Sequence, residues 1–251
     1  MELNLQNKTA VITGAGSGLG AEIARDLARY GATVVLADVD NVKMSEVAAE
    51  IKAAGGTVLT HCTDSSSATE VEALVAFAVA ETGSLSLLVN NAGIGGDVAP
   101  VGEYSVDSWQ KVMDVNLNGV FYGMRYAIPE MLKTGGGAIV NMASVLGSVG
   151  LAGSSAYVAA KHAVVGMTKA AAVEYAPANV RVNSVGPAFV ATPLLEKNLS
   201  SDVYNQLVAK HPIGRLGDAK EVSALTCFLL SDEASFISGS YHLVDGGYTA
   251  Q

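Results

Sequence analysis

The sequence predicts a single α/β domain: a doubly wound sheet of parallel strands with helices on both faces. Three observations lead there. Short β-branched runs alternate with helical stretches along the whole chain, and such alternation implies parallel pairing through right-handed crossovers. Runs such as Val11-Ile12, Val34-Val35-Leu36 and Leu87-Leu88-Val89 are apolar throughout, as strands covered on both sides are. A glycine-rich turn, Gly14-Ala15-Gly16-Ser17-Gly18-Leu19-Gly20, links the first strand to the first helix.

The elements follow in order. Thr9 to Thr13 reads as a buried strand. Gly18 to Tyr30 reads as a helix with Ile23, Leu27 and Tyr30 on one side. Thr33 to Asp38 is a strand, and Asn41 to Ala54 a helix closed by Gly55-Gly56. Thr57 to Thr63 is the third strand; Asp64 or a following serine caps a helix running to about Thr82. Leu85 to Asn90 is the fourth strand. One long helix is expected from about Val106 to Lys133, ending before Gly135-Gly136-Gly137. Ala138 to Ala143, Val180 to Val185 and Tyr241 to Val244 are the remaining strands. Ser155 to Tyr175 is a helix, and Val222 to Leu230 belongs to a late helix. No linker, internal repeat or low-complexity segment divides the 251 residues.

Composition narrows the function classes. The net charge of −9 sets up a field that repels phosphate backbones, so nucleic acid is not expected as a partner. No uncharged apolar run approaches the ~20 residues that span a bilayer, and Met1 to Leu5 lacks the pattern of a secretory leader. A cytoplasmic protein is expected. Cys62 and Cys227 are far apart in sequence and form no C-x-x-C, and the four histidines show no zinc-binding spacing, so no catalytic metal is expected.

Ligands of an open parallel sheet sit beyond the carboxyl ends of its strands. The first such end is Gly14 to Gly20, where glycines admit a pyrophosphate and the next helix offers free N–H groups. The spacing Gly14, Gly18, Gly20 departs from the strict G-x-G-x-x-G form. Asp38 ends the second strand about 20 residues on, where a carboxylate can accept bonds from ribose hydroxyls. It would repel a 2′-phosphate, so NAD is expected over NADP; a helix-capping Asp is the alternative. Asp64 could bond an adenine amino group, and the Asn90-Asn91-Ala92-Gly93 turn could pass under the adenine ribose, although Asn and Gly are also ordinary turn residues.

Tyr157 precedes Lys161 by four residues, which share a helix face. These motifs, with Asn116, Ser144 and Asn183-Ser184-Val185-Gly186-Pro187, make the chain resemble a short-chain dehydrogenase/reductase throughout its length. The resemblance implies a Rossmann-like sheet of seven parallel strands, usually in a tetramer, and a catalytic group of Asn116, Ser144, Tyr157 and Lys161. The cofactor residues expected with it are Gly14, Ser17, Gly18, Leu19, Gly20, Asp38, Asp64, Asn91, Ala92, Gly93, Tyr157, Lys161, Pro187, Val190 and Thr192. One departure is Pro187-Ala188, where the family usually has Pro-Gly. The closing Gly246 to Gln251 resembles bacterial secondary-alcohol dehydrogenases, some of which hold a structural magnesium; a Mg²⁺ near Gln251 is the corresponding expectation.

The chemistry expected of the pair is proton transfer. A phenol of pKa near 10 needs about 4 kcal/mol to reach 7, and an ammonium ~4 Å away at an effective dielectric of ~20 supplies about that. Ser144 could hold the substrate oxygen. Asn116 could anchor a proton-conducting water or hold a helix bend. A segment of about residues 188–214 reads as a substrate lid, with Thr192 at the carboxamide and Leu194 and Leu195 in the lid, or packed as a short helix. Ile94, Leu146 and Leu151 could form further walls. The absence of a basic cluster there favours an apolar secondary alcohol or ketone over an anionic substrate. A 3-oxoacyl thioester reductase, a small-diketone (acetoin-type) reductase and a non-catalytic NAD-binding sensor are the alternatives. The alanine-rich helix around Tyr157 permits close approach of a second copy, so a homotetramer is expected.

Overall fold

The computed structural model describes residues 3–191 and 201–251. Seven strands, β1 (Thr9–Thr13), β2 (Thr33–Asp38), β3 (Thr57–Cys62), β4 (Leu87–Asn90), β5 (Gly137–Met142), β6 (Val180–Pro187) and β7 (Tyr241–Val244), form one sheet in the order β3-β2-β1-β4-β5-β6-β7. Every pairing is parallel. The strand order reverses between β1 and β4, and that reversal opens a crevice at their carboxyl ends.

Successive strand residues face opposite sides, and each side has its own core. Ala10, Ile12, Val34, Leu36, Leu87 and Val89 pack with α1 (Gly18–Arg29), α2 (Asn41–Ala53) and α8 (Ala219–Leu230). Val11, Val35 and Leu88 pack with α3 (Ala68–Thr82), α5 (Gly119–Lys133) and α6 (Ser155–Tyr175). The expected seven-stranded doubly wound fold is therefore the observed one.

Two details differ from the sequence reading. The long helix is interrupted: α4 (Val106–Met113) passes through a π turn at Asp114–Asn118 into α5. A π turn widens the coil locally, and Asn116 sits within it. Strand β6 runs to Pro187 rather than Val185, because Gly186 and Pro187 still pair with Leu243 and Val244 of β7. Helix α8 begins at Ala219 and contains the expected Val222 to Leu230. Asp218 accepts from the chain while Glu221 bonds back to the Asp218 N–H, a capping box. A further helix, α7 (Ser201–Ala209), lies in the expected lid segment.

Candidate active site

The crevice is stitched together by two polar side chains. The Thr13 hydroxyl accepts from the N–H groups of Asn91 and Ala92 at 3.0 and 3.1 Å. The Asn91 amide donates to the carbonyls of Thr13 and Gly14 at 3.0 and 3.1 Å. This brings the turn after β1 against the turn after β4. Space there is closed to side chains: a Cβ on Gly20 would lie 2.2 Å from the Gly14 carbonyl oxygen. Gly14 and Gly18 have φ of +64° and +54°, a region that disfavours residues with a Cβ.

Helix α1 has no side-chain cap from Ser17 and no acid in its first turn. Helices α2, α3 and α8 are each capped by their own Asp or Ser. The amino end of α1 is thus left positive and open, as anion binding requires. The Asp38 carboxylate is fixed beside it, accepting from Gly16 N at 2.9 Å and Asp40 N at 3.0 Å. Lys43 reaches this corner, but its ammonium pairs with Asp40 at 3.2 Å. These residues fit a dinucleotide: glycines clear the pyrophosphate's approach, the helix end faces it, and an acid awaits the ribose. Asp64 lies at the end of β3 with its carboxylate accepting from the N–H and hydroxyl of Ser66.

The catalytic residues expected from the sequence converge. Ser144 follows β5, and its hydroxyl lies close enough to the Tyr157 phenol to lower its pKa by hydrogen bonding while accepting from Leu146 N at 3.2 Å. Lys161 Nζ donates to the Met142 carbonyl at 2.7 Å and sits 5.4 Å from the Tyr157 ring centroid. The Asn116 amide clamps Ile94 at both ends, donating to its carbonyl and accepting from its N–H, each at 2.8 Å. A Cβ on Gly93 would stand 3.4 Å from Asn116 and 3.8 Å from Lys161 Nζ, so the turn after β4 closes over the pair. The bend-holding reading of Asn116 thus has direct contacts behind it.

The electrostatics correct one expectation. Burial is the main influence on Tyr157 and pushes its pKa above 10, partly offset by the Ser144 hydrogen bond. Lys161 is pushed down to about 8 by the same desolvation. The Lys161 ammonium, with the oxidised nicotinamide as a second positive charge, was expected to acidify the phenol. In the protein the low-dielectric surroundings oppose both charged forms.

Other expected residues are placed differently. Ile94 keeps an exposed side chain and Leu151 is half-buried, whereas Leu146 is buried. Pro187 ends β6, and Val190 pairs with Gly217 and packs into the core. Thr192, Leu194 and Leu195 lie outside the described residues. The Gln251 amide donates to the Lys210 carbonyl. The one acid of that turn, Asp245, already accepts from Gly247 and Thr249, so within one chain these residues do not make an oxygen-rich magnesium site. Three residues escaped the sequence reading. Thr13 stitches the crevice, Asn141 links Asn90 to Thr168, and Tyr241 donates to the Ser144 carbonyl. A hydroxyl at a strand's end was a visible signal for Thr13; the other two depend on distant strands meeting.

The comparisons agree with this geometry. Residues 14–249 match the family model described as Enoyl-(Acyl carrier protein) reductase. The chain is 47% identical over 251 residues to a cyclohexanol dehydrogenase of Acinetobacter sp. (strain SE19), covering 100% of this chain and 98% of that protein. It is 46% identical over 243 residues to a cis-4-hydroxycyclohexanecarboxylate dehydrogenase of Sinomonas cyclohexanicum, covering 97% of each. The crystal structure of a levodione reductase superposes with a TM-score of 0.95 at 35% identity, covering 98% of this chain and 99% of that one. A dinucleotide crevice, a buried Ser-Tyr-Lys cluster and relatives of matching length lead to one assignment: the chain belongs to the short-chain dehydrogenase/reductase family, as a nicotinamide-dependent oxidoreductase acting on CH–OH groups.

Proposed function

We propose that the protein oxidises a secondary alcohol carried on an apolar six-membered ring, using NAD. The observation that carries the reading is the meeting of the Ser144 and Tyr157 hydroxyls where β5 ends. Ser144 orients the substrate oxygen by hydrogen bonding, and Tyr157 accepts the hydroxyl proton. Lys161 holds positive charge beside the phenol. Bound NAD would supply the hydride acceptor and a further positive charge.

Three observations support the finer choices. Asp38 stands where a 2′-phosphate would be repelled, and the nearby Lys43 is already paired with Asp40. The two curated relatives are named for cyclohexane-ring alcohols. A net charge of −9 weighs against docking an acidic acyl carrier.

Self-association is part of the reading. Trp109, Phe121 and Leu132 on α4 and α5, and Val173 on α6, expose apolar surface that a second copy can cover. A homotetramer is the proposed state. Among the described residues no helix is long and apolar enough to cross a membrane, and the free thiols Cys62 and Cys227 suit a reducing cytoplasm.

A rate screen with NAD⁺ and NADP⁺ against cyclohexanol, acyclic secondary alcohols and, in reverse, ketones and a 3-oxoacyl thioester tests the proposal. The expected result is highest kcat/KM for cyclohexanol with NAD⁺. Preference for NADP⁺ would overturn the cofactor choice, and preference for the thioester would overturn the substrate. Nicotinamide binding without turnover of any of them would favour a sensor.

A further inference from the structure

We propose that Tyr241 is a positioning residue for the acid–base pair, its phenol holding the Ser144 loop so that the Ser144 hydroxyl meets Tyr157. The inference deepens the functional reading above and rests on it.

Ser144 stands where the chain leaves the sheet. Ala143 N still donates to Val185 of β6 at 2.8 Å, but Ser144 begins a single tight turn, Val145–Gly147. Within the turn, Gly147 N donates to the Ser144 carbonyl at 2.8 Å. Contacts this local fix the shape of a turn but not its placement against a helix from another part of the chain. Tyr241 supplies an outside tie. It opens β7 opposite Ser184 of β6, and its hydroxyl donates to the same Ser144 carbonyl. Ser148, at the far end of the turn, lies near the same phenol with its hydroxyl donating to the Val145 carbonyl.

The ring lies in a slot that Gly186 keeps clear. A Cβ on Gly186 would lie 2.5 Å from Cε2 and 2.6 Å from the hydroxyl of Tyr241. A side chain at residue 186 would therefore push the ring out. Burial first, with Asp245 nearby, raises the pKa of Tyr241, so the phenol remains a neutral donor across the working range.

The consequence reaches Tyr157 through Ser144. The Ser144 hydrogen bond works against the burial that raises the Tyr157 pKa. A loosened Ser144 loop would leave the phenol harder to ionise. The titratable groups facing Tyr157 are Lys161 of its own helix and Tyr104, which packs in the same small apolar cluster. The Tyr241 hydroxyl is bonded to the Ser144 carbonyl, so a change made there reads out through Ser144.

The test is Tyr241→Phe, which keeps the ring and removes the hydroxyl. It is compared with wild type and Tyr157→Phe in NAD⁺-dependent cyclohexanol oxidation across pH. A fall in kcat of about tenfold is expected, as for a small misplacement of a reacting group, with KM and NAD⁺ affinity nearly unchanged. The acidic limb of the kcat profile should move to higher pH. A wild-type kcat and limb in Tyr241→Phe would overturn the proposal. So would a fall in kcat that tracks lost thermal stability while the limb stays in place. If Tyr157→Phe itself turns over normally, or wild type oxidises no alcohol, the functional reading fails first and the inference falls with it.

Discussion

Tyr157 and Lys161 share one face of α6, and burial acts on both by disfavouring their charged forms. Lys161, pushed down to about 8, stays protonated at neutral pH and is the positive charge the chain itself brings to the phenol. Replacing it with methionine should move the acidic limb of alcohol oxidation to higher pH and lower kcat; a kcat profile with an unmoved limb would deny it that role. At the other end of the crevice, Asp38→Ala should narrow the NAD⁺ over NADP⁺ preference in kcat/KM by about tenfold or more, the effect of removing about 1.4 kcal/mol of discrimination. An unchanged ratio would show that Asp38 only braces Gly16 and Asp40. Each of these residues was legible because its type and spacing carry its chemistry. Their surroundings were not: no spacing rule says that a Tyr within an alanine-rich helix will be buried enough to oppose its own ionisation.

The π turn is the element that most changes the sequence picture. Periodicity predicts one unbroken helix across 106–133, and the interruption at Asp114–Asn118 leaves that apolar pattern almost intact. What marks the spot is Asn116, fully buried and bonded at both ends to Ile94. Asn116→Ala removes two hydrogen bonds, so stability should fall by about 1–2 kcal/mol and cofactor affinity should weaken as Gly93 loosens. Thermal unfolding and fluorescence titration check this; both unchanged would make the clamp incidental. The capping box of α8 stands in the sequence as Asp-x-x-Glu, at a helix start that apolar periodicity alone leaves unmarked. Glu221 is held at about 2, below its ordinary 4.5, chiefly by Arg215 and also by the Asp218 N–H. A depressed carboxylate contributes stability above about pH 4.5 and loses it as pH falls towards 2. Glu221→Ala should therefore lower the free energy of unfolding at pH 7, by no more than about 1 kcal/mol for so exposed a cap. The difference from wild type should vanish near pH 2, and a constant difference across that range would contradict the pairing.

At the scale of the whole molecule, the order β3-β2-β1-β4-β5-β6-β7 places the ends of β1, β4 and β5 side by side. That adjacency brings Gly14, Asn91 and Ser144 into one crevice although more than a hundred residues separate the first from the last. The strands themselves were legible from their β-branched runs, and the parallel order from their alternation with helices. The contact of Tyr241 with Ser144 was not, because it needs the last strand to add beside β6 and Gly186 to leave room. The central claim is that one phenol, Tyr157, moves the substrate proton. Its most direct test is the single-residue change Tyr157→Phe, assayed for NAD⁺-dependent alcohol oxidation alongside cofactor binding. The account predicts a kcat several hundred-fold lower, within the ~10²–10⁴ range of general acid–base catalysis, with cofactor affinity retained. Turnover near that of wild type would contradict it.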